Sequence, residues 1–297
     1  MRSLFDSPLD LSVAGGPIRV HRGGDPDAPA LVLLHGAMLD TGRGVWREVG
    51  PALAQDHHVH VVDLPRHGAS RPWRGVLDDD ALRPILLELL DRLDLPRAAL
   101  IGLSMGGGLA TGIALRHPER VEALVAVGPG GIGARRPAQL LTWAMLRTPG
   151  LLRASTLLLA RSPGMIRRSL AGQLVAGEDT PGFEEILHRV TDEARAKQAH
   201  HERVLDDWQI YAYGPRSMRL DLLPELPRLQ VPTLWMRGDR DTLVGPEEVA
   251  AAAAAAPGSQ LVTIPDAGHI VTYDQPEAFL AATRAFLAKG RSDREPA

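Results

Sequence analysis

Short apolar runs alternate with longer segments of helical character along most of the chain. Near-continuous apolar runs of this length are typical of strands buried on both faces of a parallel sheet. Such runs predict strands at residues 31–35, 58–64, 98–103, 121–128, 231–238 and 260–265. The other segments predict helices at residues 44–54, 80–93, 105–117, 246–256 and 276–289. The alternation predicts an α/β fold in which helices flank a mostly parallel central sheet.

The alternation stops after residue 130 and resumes near residue 223. The intervening residues 131–222 carry many Leu, Met and Trp side chains but no strand pattern, and proline-containing segments lie at both ends. We interpret this stretch as a helical cap inserted after the sixth strand of the fold. The expected organisation is a core domain of residues 1–130 and 223–297 with a helical cap of residues 131–222.

The composition narrows the class of protein. The chain has 297 residues, 44% of them hydrophobic, so it can bury a large core. With a formal net charge of −3, the chain lacks the excess of basic residues that is typical of a nucleic-acid-binding protein. The absence of cysteine excludes disulfides and thiolate chemistry. Asp6 and Asp10 interrupt the segment where a signal peptide would need an apolar core. We expect a cytoplasmic protein with no nucleic-acid partner and no stable membrane insertion; the oligomeric state stays open.

A serine enclosed by glycines follows the predicted strand at residues 98–103. The segment GLSMG at residues 102–106 matches the pattern G-x-S-x-G, and a helix is predicted to begin directly after Ser104. Strand, tight turn and helix are the context in which such a serine is exposed as a nucleophile, and the positive end of the helix dipole favours negative charge beside it. The alternative is a glycine-rich turn that only packs a helix closely against the sheet. The context favours the nucleophile.

A nucleophilic serine needs two partners. A base must remove the hydroxyl proton, and an acid must orient that base. His269 follows the last predicted strand, while Asp239 and Asp241 follow the strand before it. Both loops lie at carboxyl ends of strands, the edge at which open α/β sheets assemble their sites. Ser104, His269 and one of the two aspartates are therefore predicted to meet there.

These motifs resemble the α/β-hydrolase superfamily, and the resemblance extends over most of the chain outside the insertion. In that superfamily the catalytic residues follow in the order serine, acid, histidine. Its acid lies in a G-x-x-D-x-hydrophobic-hydrophobic loop, which GDRDTLV satisfies at Asp241 rather than at Asp239. Its histidine matches the GH pair at His269. The resemblance implies a catalytic triad of Ser104, Asp241 and His269.

Two further segments are similar to the superfamily. LLHGAML at residues 33–39 matches its oxyanion loop, which implies that the backbone N–H groups of Ala37 and Met105 form an oxyanion hole. Each well-placed donor of this kind stabilises the developing negative charge by about 2.7–4 kcal/mol. DLPRHGAS at residues 63–70 matches a D-x-P-G-x-G-x-S segment, with Arg66 where glycine is usual.

The resemblance implies a serine hydrolase, most nearly a carboxylesterase, that cleaves an ester of a small to medium, largely apolar substrate through an acyl-enzyme. No cofactor and no metal is expected. A carbon–carbon hydrolase of the meta-cleavage type is the main alternative because SMGG and VGPGGIG resemble that group, although Ile270 stands where that group usually has tryptophan. Lactonase and thioesterase activities stay open, as does a non-catalytic receptor that holds a small ligand in the same pocket.

The first half of the predicted cap is apolar and basic. No acidic residue lies between Glu122 and Glu178. That stretch carries Arg135, Arg136, Arg147, Arg153, Arg161, Arg167 and Arg168. The pattern fits a lid for apolar or anionic acyl substrates, or one that contacts a membrane surface; the interpretation we favour is that the arginines pair with the acidic second half of the cap. We expect Met38, Trp143 and Met145 to line the substrate pocket.

Overall fold

The computed structural model describes residues 4–6 and 8–292, which include a central eight-stranded sheet. Its strands are β1 (Leu9–Val13), β2 (Gly16–Gly23), β3 (Ala30–Leu34), β4 (His58–Val62), β5 (Ala98–Leu103), β6 (Val121–Val127), β7 (Thr233–Gly238) and β8 (Gln260–Ile264). Their order across the sheet is β1-β2-β4-β3-β5-β6-β7-β8. Strands β3 to β8 pair in parallel, while β1 and β2 pair antiparallel to their neighbours. The predicted α/β fold with a mostly parallel sheet is confirmed.

The hairpin of β1 and β2 is the part of the sheet that the apolar pattern did not predict. Along β1 the side chains alternate between exposed and more buried positions, because this edge strand has one face toward solvent. Ala14 and Gly15, with φ of 47° and 79°, form the tight turn to β2. An alternating edge hairpin of this kind lacks the near-continuous apolar run by which the other strands were predicted.

Helices cover both faces of the sheet. They are α1 (Gly42–Val45), α2 (Val49–Leu53), α3 (Asp79–Arg92), α4 (Met105–Arg116), α5 (Gln139–Arg147), α6 (Leu151–Arg161), α7 (Pro163–Ala171), α8 (Phe183–Ala199), α9 (Asp207–Ala212), α10 (Pro246–Ala255), α11 (Val271–Asp274) and α12 (Pro276–Ser292). On one face, α3, α4 and α10 share an apolar cluster with Val32 and Leu34 of β3; on the other, α1, α2 and α12 share a second cluster with Leu31 and Leu33. Successive side chains of one strand thus enter opposite halves of the core.

The single helix predicted at residues 44–54 is wrong. The structure has two short helices there, α1 and α2, separated by three residues centred on Arg47. Pro51 of α2 lacks the N–H that a continuous helix would donate to the Arg47 carbonyl, and its ring would crowd that carbonyl. The proline therefore breaks the helix although the apolar spacing continues.

Between β6 and β7 the chain forms α5 to α9, and we call residues 131–222 the helical insertion. Its longest helix, α8, packs against α6 and α7 and contacts α1 of the core. Leu170 and Phe183 join the apolar cluster that contains Trp46 of the core, so the insertion is seated on the sheet layer beneath it. The division into core and cap domains stays a prediction. In the described part of the chain, no helix is both long enough and apolar enough to cross a bilayer.

Candidate active site

Ser104 lies on the sharp turn between β5 and α4. Its backbone has φ 54° and ψ −113°, a combination that residues other than glycine rarely adopt. The Ser104 N–H donates to the Val127 carbonyl at 2.9 Å, and the Gly106 N–H donates to the His35 carbonyl at 3.1 Å. Strained backbone of this kind persists where the surrounding structure fixes it, as at active sites. The turn has the geometry of a nucleophile elbow.

The glycines around Ser104 are required by close backbone approach. A Cβ atom at Gly102 would collide with the Gly106 carbonyl of the turn. A Cβ atom at Gly106 would collide with the carbonyls of Leu34 and His35 at the end of β3. The G-x-S-x-G spacing therefore lets β3, β5 and the first turn of α4 meet around the serine.

Asp241 and His269 form a hydrogen-bonded pair at the carboxyl ends of β7 and β8. His269 Nδ1 lies 2.9 Å from Asp241 Oδ2, while Asp241 Oδ1 accepts the backbone N–H groups of Leu243 and Val244 at 2.8 and 3.0 Å. Burial by itself would raise the pKa of Asp241, but the hydrogen bond and charge of His269, together with the two N–H groups, hold that pKa below its usual value. An ionised Asp241 accepts a hydrogen bond from Nδ1 and leaves Nε2 of His269 free to act as a base.

Asp239, the other candidate acid, is exposed and does not contact the imidazole. Its Oδ1 accepts the Ala267 N–H at 3.3 Å, so it supports the loop that carries His269 from outside. Gly128 packs against the inner side of the pair, where a Cβ atom would lie 3.0 Å from Asp241 Oδ2 and 3.2 Å from His269 Nδ1. Of the two aspartates, the geometry places Asp241 against His269.

A cavity of about 150 Å³ opens beside Ser104, and both Ser104 and His269 line it. Its floor includes Ala37, Met38 and Leu39 of the loop after β3. The helical insertion supplies an apolar wall made of Leu159, Ile166, Leu170 and Val190. The two reactive side chains therefore face a small, mostly aliphatic space between the sheet and the insertion.

Of the three side chains expected to line the substrate pocket, Met38 lines this cavity, while Trp143 and Met145 do not. Both lie on α5, whose buried residue Leu146 packs against Leu152 and Ile210 within the insertion. Met145 is 46% exposed on the outer side of that helix. The prediction for these two side chains is corrected, because α6, α7 and α8 rather than α5 lie over Ser104. In the sequence, the apolar run that includes Leu159 is the signal for the side of the insertion that lines the cavity.

The two predicted oxyanion donors are adjacent to Ser104. Ala37 lines the cavity, and Met105 is the first residue of α4, where the N–H groups of a helix lack intrahelical acceptors. Among the described residues, no protein atom accepts a hydrogen bond from either backbone N–H. The elbow and the loop after β3 thus present two unused donors beside the serine.

His35 fixes the loop that carries Ala37. Its Nε2 accepts the Leu64 N–H at 3.0 Å, so its Nδ1 carries the proton and donates to the Gly36 carbonyl at 2.6 Å. Complete burial lowers the pKa of His35 to about 3, with the neighbouring charge of His67 acting in the same direction. A neutral imidazole in this position holds the loop and does not face the cavity.

Asp40 is a site residue that the sequence reasoning missed. It lines the cavity together with Ser104 and His269. Burial raises the pKa of its carboxyl group to about 6, although the charges of His269 and His67 oppose this rise. In the sequence Asp40 directly follows the oxyanion loop, but nothing in that position indicates burial.

A second missed feature ties the insertion to the oxyanion loop. Asp206, just before α9, accepts the Met38 N–H on Oδ2 at 2.7 Å, while its Oδ1 lies 2.8 Å from Lys197 Nζ and 3.1 Å from His67 Nε2. Burial opposes the charge of Asp206, yet the charges of His67 and Lys197 hold its pKa well below the usual range. The sequence signal for this buried ion pair is Lys197, one of only two lysines in an arginine-rich chain. In the structure the Lys197 side chain is fully buried.

The fold and the site geometry agree with a comparison of the whole sequence. A model of the family described as alpha/beta hydrolase fold matches residues 29–276. The chain belongs to this family. The match runs from β3 into α12, so the resemblance drawn from the motifs is confirmed, and this α/β hydrolase carries Ser104, Asp241 and His269 inside the matched region.

Relatives of this α/β hydrolase carry more than one activity in their names. A pimeloyl-[acyl-carrier protein] methyl ester esterase of Nitrosospira multiformis is 30% identical over 268 residues, covering 86% of this chain and 93% of the relative. A 2-hydroxy-6-oxo-6-phenylhexa-2,4-dienoate hydrolase of Burkholderia cepacia is 27% identical over 291 residues, covering 92% of each. The solved structure of a thermophilic esterase from Thermogutta terrifontis superposes with a TM-score of 0.74 at 26% identity, covering 96% of this chain and 99% of that one.

Proposed function

We propose that this α/β hydrolase is a serine hydrolase that cleaves carboxylic esters of small, largely apolar substrates. The observation that carries the proposal is the Asp241–His269 hydrogen bond of 2.9 Å at a cavity that Ser104 and His269 both line. A serine, an oriented imidazole and a buried carboxylate in one place are the parts that nucleophilic acyl transfer requires.

The proposed reaction has two halves. Ser104 Oγ attacks the ester carbonyl while His269 Nε2 takes its proton, and the unused N–H groups of Ala37 and Met105 stabilise the oxyanion. The ester C–O bond then breaks, and His269 returns the proton to the departing alcohol. Water, deprotonated by the same imidazole, releases the acid from Ser104. Asp241 stabilises the imidazolium throughout and keeps its proton on Nδ1.

The cavity and one relative support an ester as the substrate. The wall formed by Leu159, Ile166, Leu170 and Val190 offers no charged partner for a polar acyl chain. A volume of about 150 Å³ lies below the roughly 300–1,000 Å³ that is usual for a small-molecule site, which favours a short acyl group. The relative from Nitrosospira multiformis is named for a methyl ester substrate, which is consistent with a small leaving alcohol.

A carbon–carbon hydrolase is the second candidate, because the dienoate hydrolase relative matches 92% of this chain. Asp40 gives this candidate a physical basis, since a carboxyl group with a pKa of about 6 beside His269 could pass a proton to or from a dienoate carbon. Activity on a 2-hydroxy-6-oxo-dienoate that exceeds activity on every ester would select it. Lactonase and thioesterase activities use the same acyl-enzyme and differ in the leaving group.

The first test is hydrolysis of p-nitrophenyl esters from acetate to decanoate by the native protein and by Ser104→Ala. We expect turnover of short esters and a fall in kcat of at least about 10³-fold in the variant, since the nucleophile is lost. Circular dichroism of both proteins controls for folding. Turnover that survives in Ser104→Ala would contradict the proposed nucleophile.

A fluorophosphonate probe separates the enzyme from the receptor alternative. Covalent labelling of Ser104 without turnover of esters, lactones, thioesters or dienoates would favour a ligand-binding role and contradict the hydrolase. The cytoplasmic location and the absence of a cofactor stay predictions.

A further inference from the structure

The outer face of α5 and α6 is unusually apolar for a protein surface. Of the ten large apolar side chains that are exposed in the described part of the chain, six lie between residues 140 and 158. We call them the α5–α6 surface: Leu140, Leu141, Met145, Leu151, Leu157 and Leu158. Leu141 and Leu158 are 72% and 53% exposed. The two helices pack against each other through Leu146 and Leu152, so these side chains belong to adjoining helix faces.

Several arginines in the first half of the helical insertion lack acidic partners. The expected pairing within the insertion is seen for Arg167, which binds Glu178 and Glu184, while Arg136 pairs with Glu248 of the core. The other arginines of the basic stretch have no carboxylate within salt-bridge distance among the residues that the structure describes. They are Arg135, Arg147, Arg153, Arg161 and Arg168. Arg147 stacks on Tyr211 instead.

One of the two helices that form this surface, α6, also lines the cavity of the candidate active site. Leu159 of α6 points into the cavity beside Ser104, whereas its neighbours Leu157 and Leu158 point outward. One short helix thus separates the reactive side chains from the exposed apolar face. Whatever covers that face is held at the wall of the cavity.

A second copy of this chain is a poor occupant. A symmetric contact would bring the same unpaired arginines of two molecules against each other, with no acidic residue between Glu122 and Glu178 to compensate. Leucine is under-represented among the hot spots of protein interfaces, while five of these six side chains are Leu. Exposed leucines on the same helices as Arg147, Arg153 and Arg161 are instead typical of helices that lie in the interface of a bilayer.

We propose that the α5–α6 surface docks this protein on bilayers that contain anionic lipid. The leucines would enter the acyl boundary, and the arginines would bind the negative headgroups. Docking in this orientation places the wall of the cavity against the lipid, so that apolar esters dissolved in the bilayer reach Ser104 over a short distance. The proposal goes beyond the hydrolase activity, because vesicle binding is measured without a substrate.

The test is co-sedimentation of the full chain with vesicles of equimolar phosphatidylglycerol and phosphatidylcholine, compared with vesicles of phosphatidylcholine alone. We expect binding to the anionic vesicles that weakens as salt is raised. Leu141→Ser combined with Leu158→Ser should abolish it, while Leu261→Ser, a change at an exposed leucine on β8, should not. Arg153→Gln and Arg161→Gln should each weaken binding by about five-fold, and the exposed Arg228→Gln should leave it unchanged.

Hydrolysis of a water-soluble ester and circular dichroism should be the same in all these variants, since none of the changed side chains lines the cavity. Failure of the native protein to bind anionic vesicles would overturn the proposal. Equal binding by the double leucine variant and the native protein would also overturn it. Sedimentation velocity gives the remaining outcome: a dimer that the double leucine variant cannot form would assign the surface to self-association instead.

Discussion

Ser104 adopts a backbone conformation that serine ordinarily avoids, and it does so at the candidate active site. Its positive φ disfavours serine by about 1–3 kcal/mol. The turn is nevertheless fixed by two hydrogen bonds, from the Ser104 N–H to the Val127 carbonyl and from the Gly106 N–H to the His35 carbonyl.

Arg66 is a second residue with a disfavoured backbone conformation. Its φ of 65° explains why related proteins usually have glycine at this position. Arg66 keeps that backbone and uses its side chain to bind Asp207 at 2.7 Å. The departure from the family pattern therefore adds a link to the insertion.

The acid of the proposed triad is tested by an isosteric change. Asp241→Asn should lower kcat by about 10⁴-fold with little effect on KM, because an amide in place of the carboxylate favours the wrong histidine tautomer. Steady-state kinetics on a p-nitrophenyl ester measure this. Asp239→Asn is the matched control two residues away, and it should leave kcat nearly unchanged, since its exposed carboxylate accepts the Ala267 N–H and does not contact His269. A large loss in the control would reassign the acid.

Asp40 predicts a pH dependence of stability. Its pKa of about 6 in the folded protein exceeds the ordinary value of 3.8, so the folded state binds the proton more tightly than the unfolded state does. Stability that depends on Asp40 is therefore present below about pH 4 and is lost as pH rises through about 6. Asp40→Asn should raise the free energy of unfolding by about 1–3 kcal/mol at pH 8 and leave it unchanged near pH 4. Urea denaturation at both values checks this, and an equal effect at both would contradict the assignment.

The residues that sequence reasoning found and missed differ in one physical respect. Ser104, Asp241 and His269 each stand in a short local pattern at the end of a strand, which the backbone geometry itself demands. Asp40 and Asp206 have their roles through partners far away in the chain; Met38 and Asp206, for example, are 168 positions apart. No local pattern records such a contact.

At the scale of elements, strands were more predictable than helices or loops. Strands β3 to β7 are buried on both faces, so their apolar runs are visible without knowing their neighbours. The edge strand β8 is mostly exposed. The insertion shows helical composition, but the order in which its helices pack depends on long-range contacts. That is why α5 was expected over Ser104 while α6, α7 and α8 lie there instead.

The contact between the insertion and the oxyanion loop depends on a buried ion pair. Asp206→Ala should lower the free energy of unfolding by about 3–5 kcal/mol, because it leaves the fully buried Lys197 without a carboxylate. It should also lower kcat, since the Met38 N–H loses its acceptor. Chemical denaturation and ester kinetics measure the two effects.

Two further variants make that result specific. Adding Lys197→Met to Asp206→Ala should recover part of the stability, because no unpaired charge is then buried. Asp192→Ala on the exposed side of α8 removes a surface carboxylate and should change stability by less than about 1 kcal/mol. If the double variant is no more stable than Asp206→Ala alone, the buried charge is not the cause of the loss.

At the scale of the whole molecule, the sheet supplies the reactive groups and the insertion sets the space around them. The sheet brings Ser104 and His269 together at one edge, and the family match covers strands β3 to β8 of that sheet. Leu159, Ile166 and Leu170 come from the insertion and close the other side of the cavity. The sequence therefore predicts the chemistry better than the substrate, because the substrate depends on how two separately patterned parts of the chain fit together.

The size of that space predicts a preference in acyl length. A cavity of about 150 Å³ is comparable to one that holds a benzene molecule, so acetyl to butanoyl esters should be turned over with the highest kcat/KM and decanoyl esters poorly. Leu159→Ala should move the preference toward longer acyl chains, because it removes three carbons from the wall that faces Ser104. Leu157→Ala on the outward face of the same helix should leave the profile unchanged. Kinetics across the p-nitrophenyl ester series measure all three proteins, and a native preference for decanoate would mean that the insertion opens to admit its substrate.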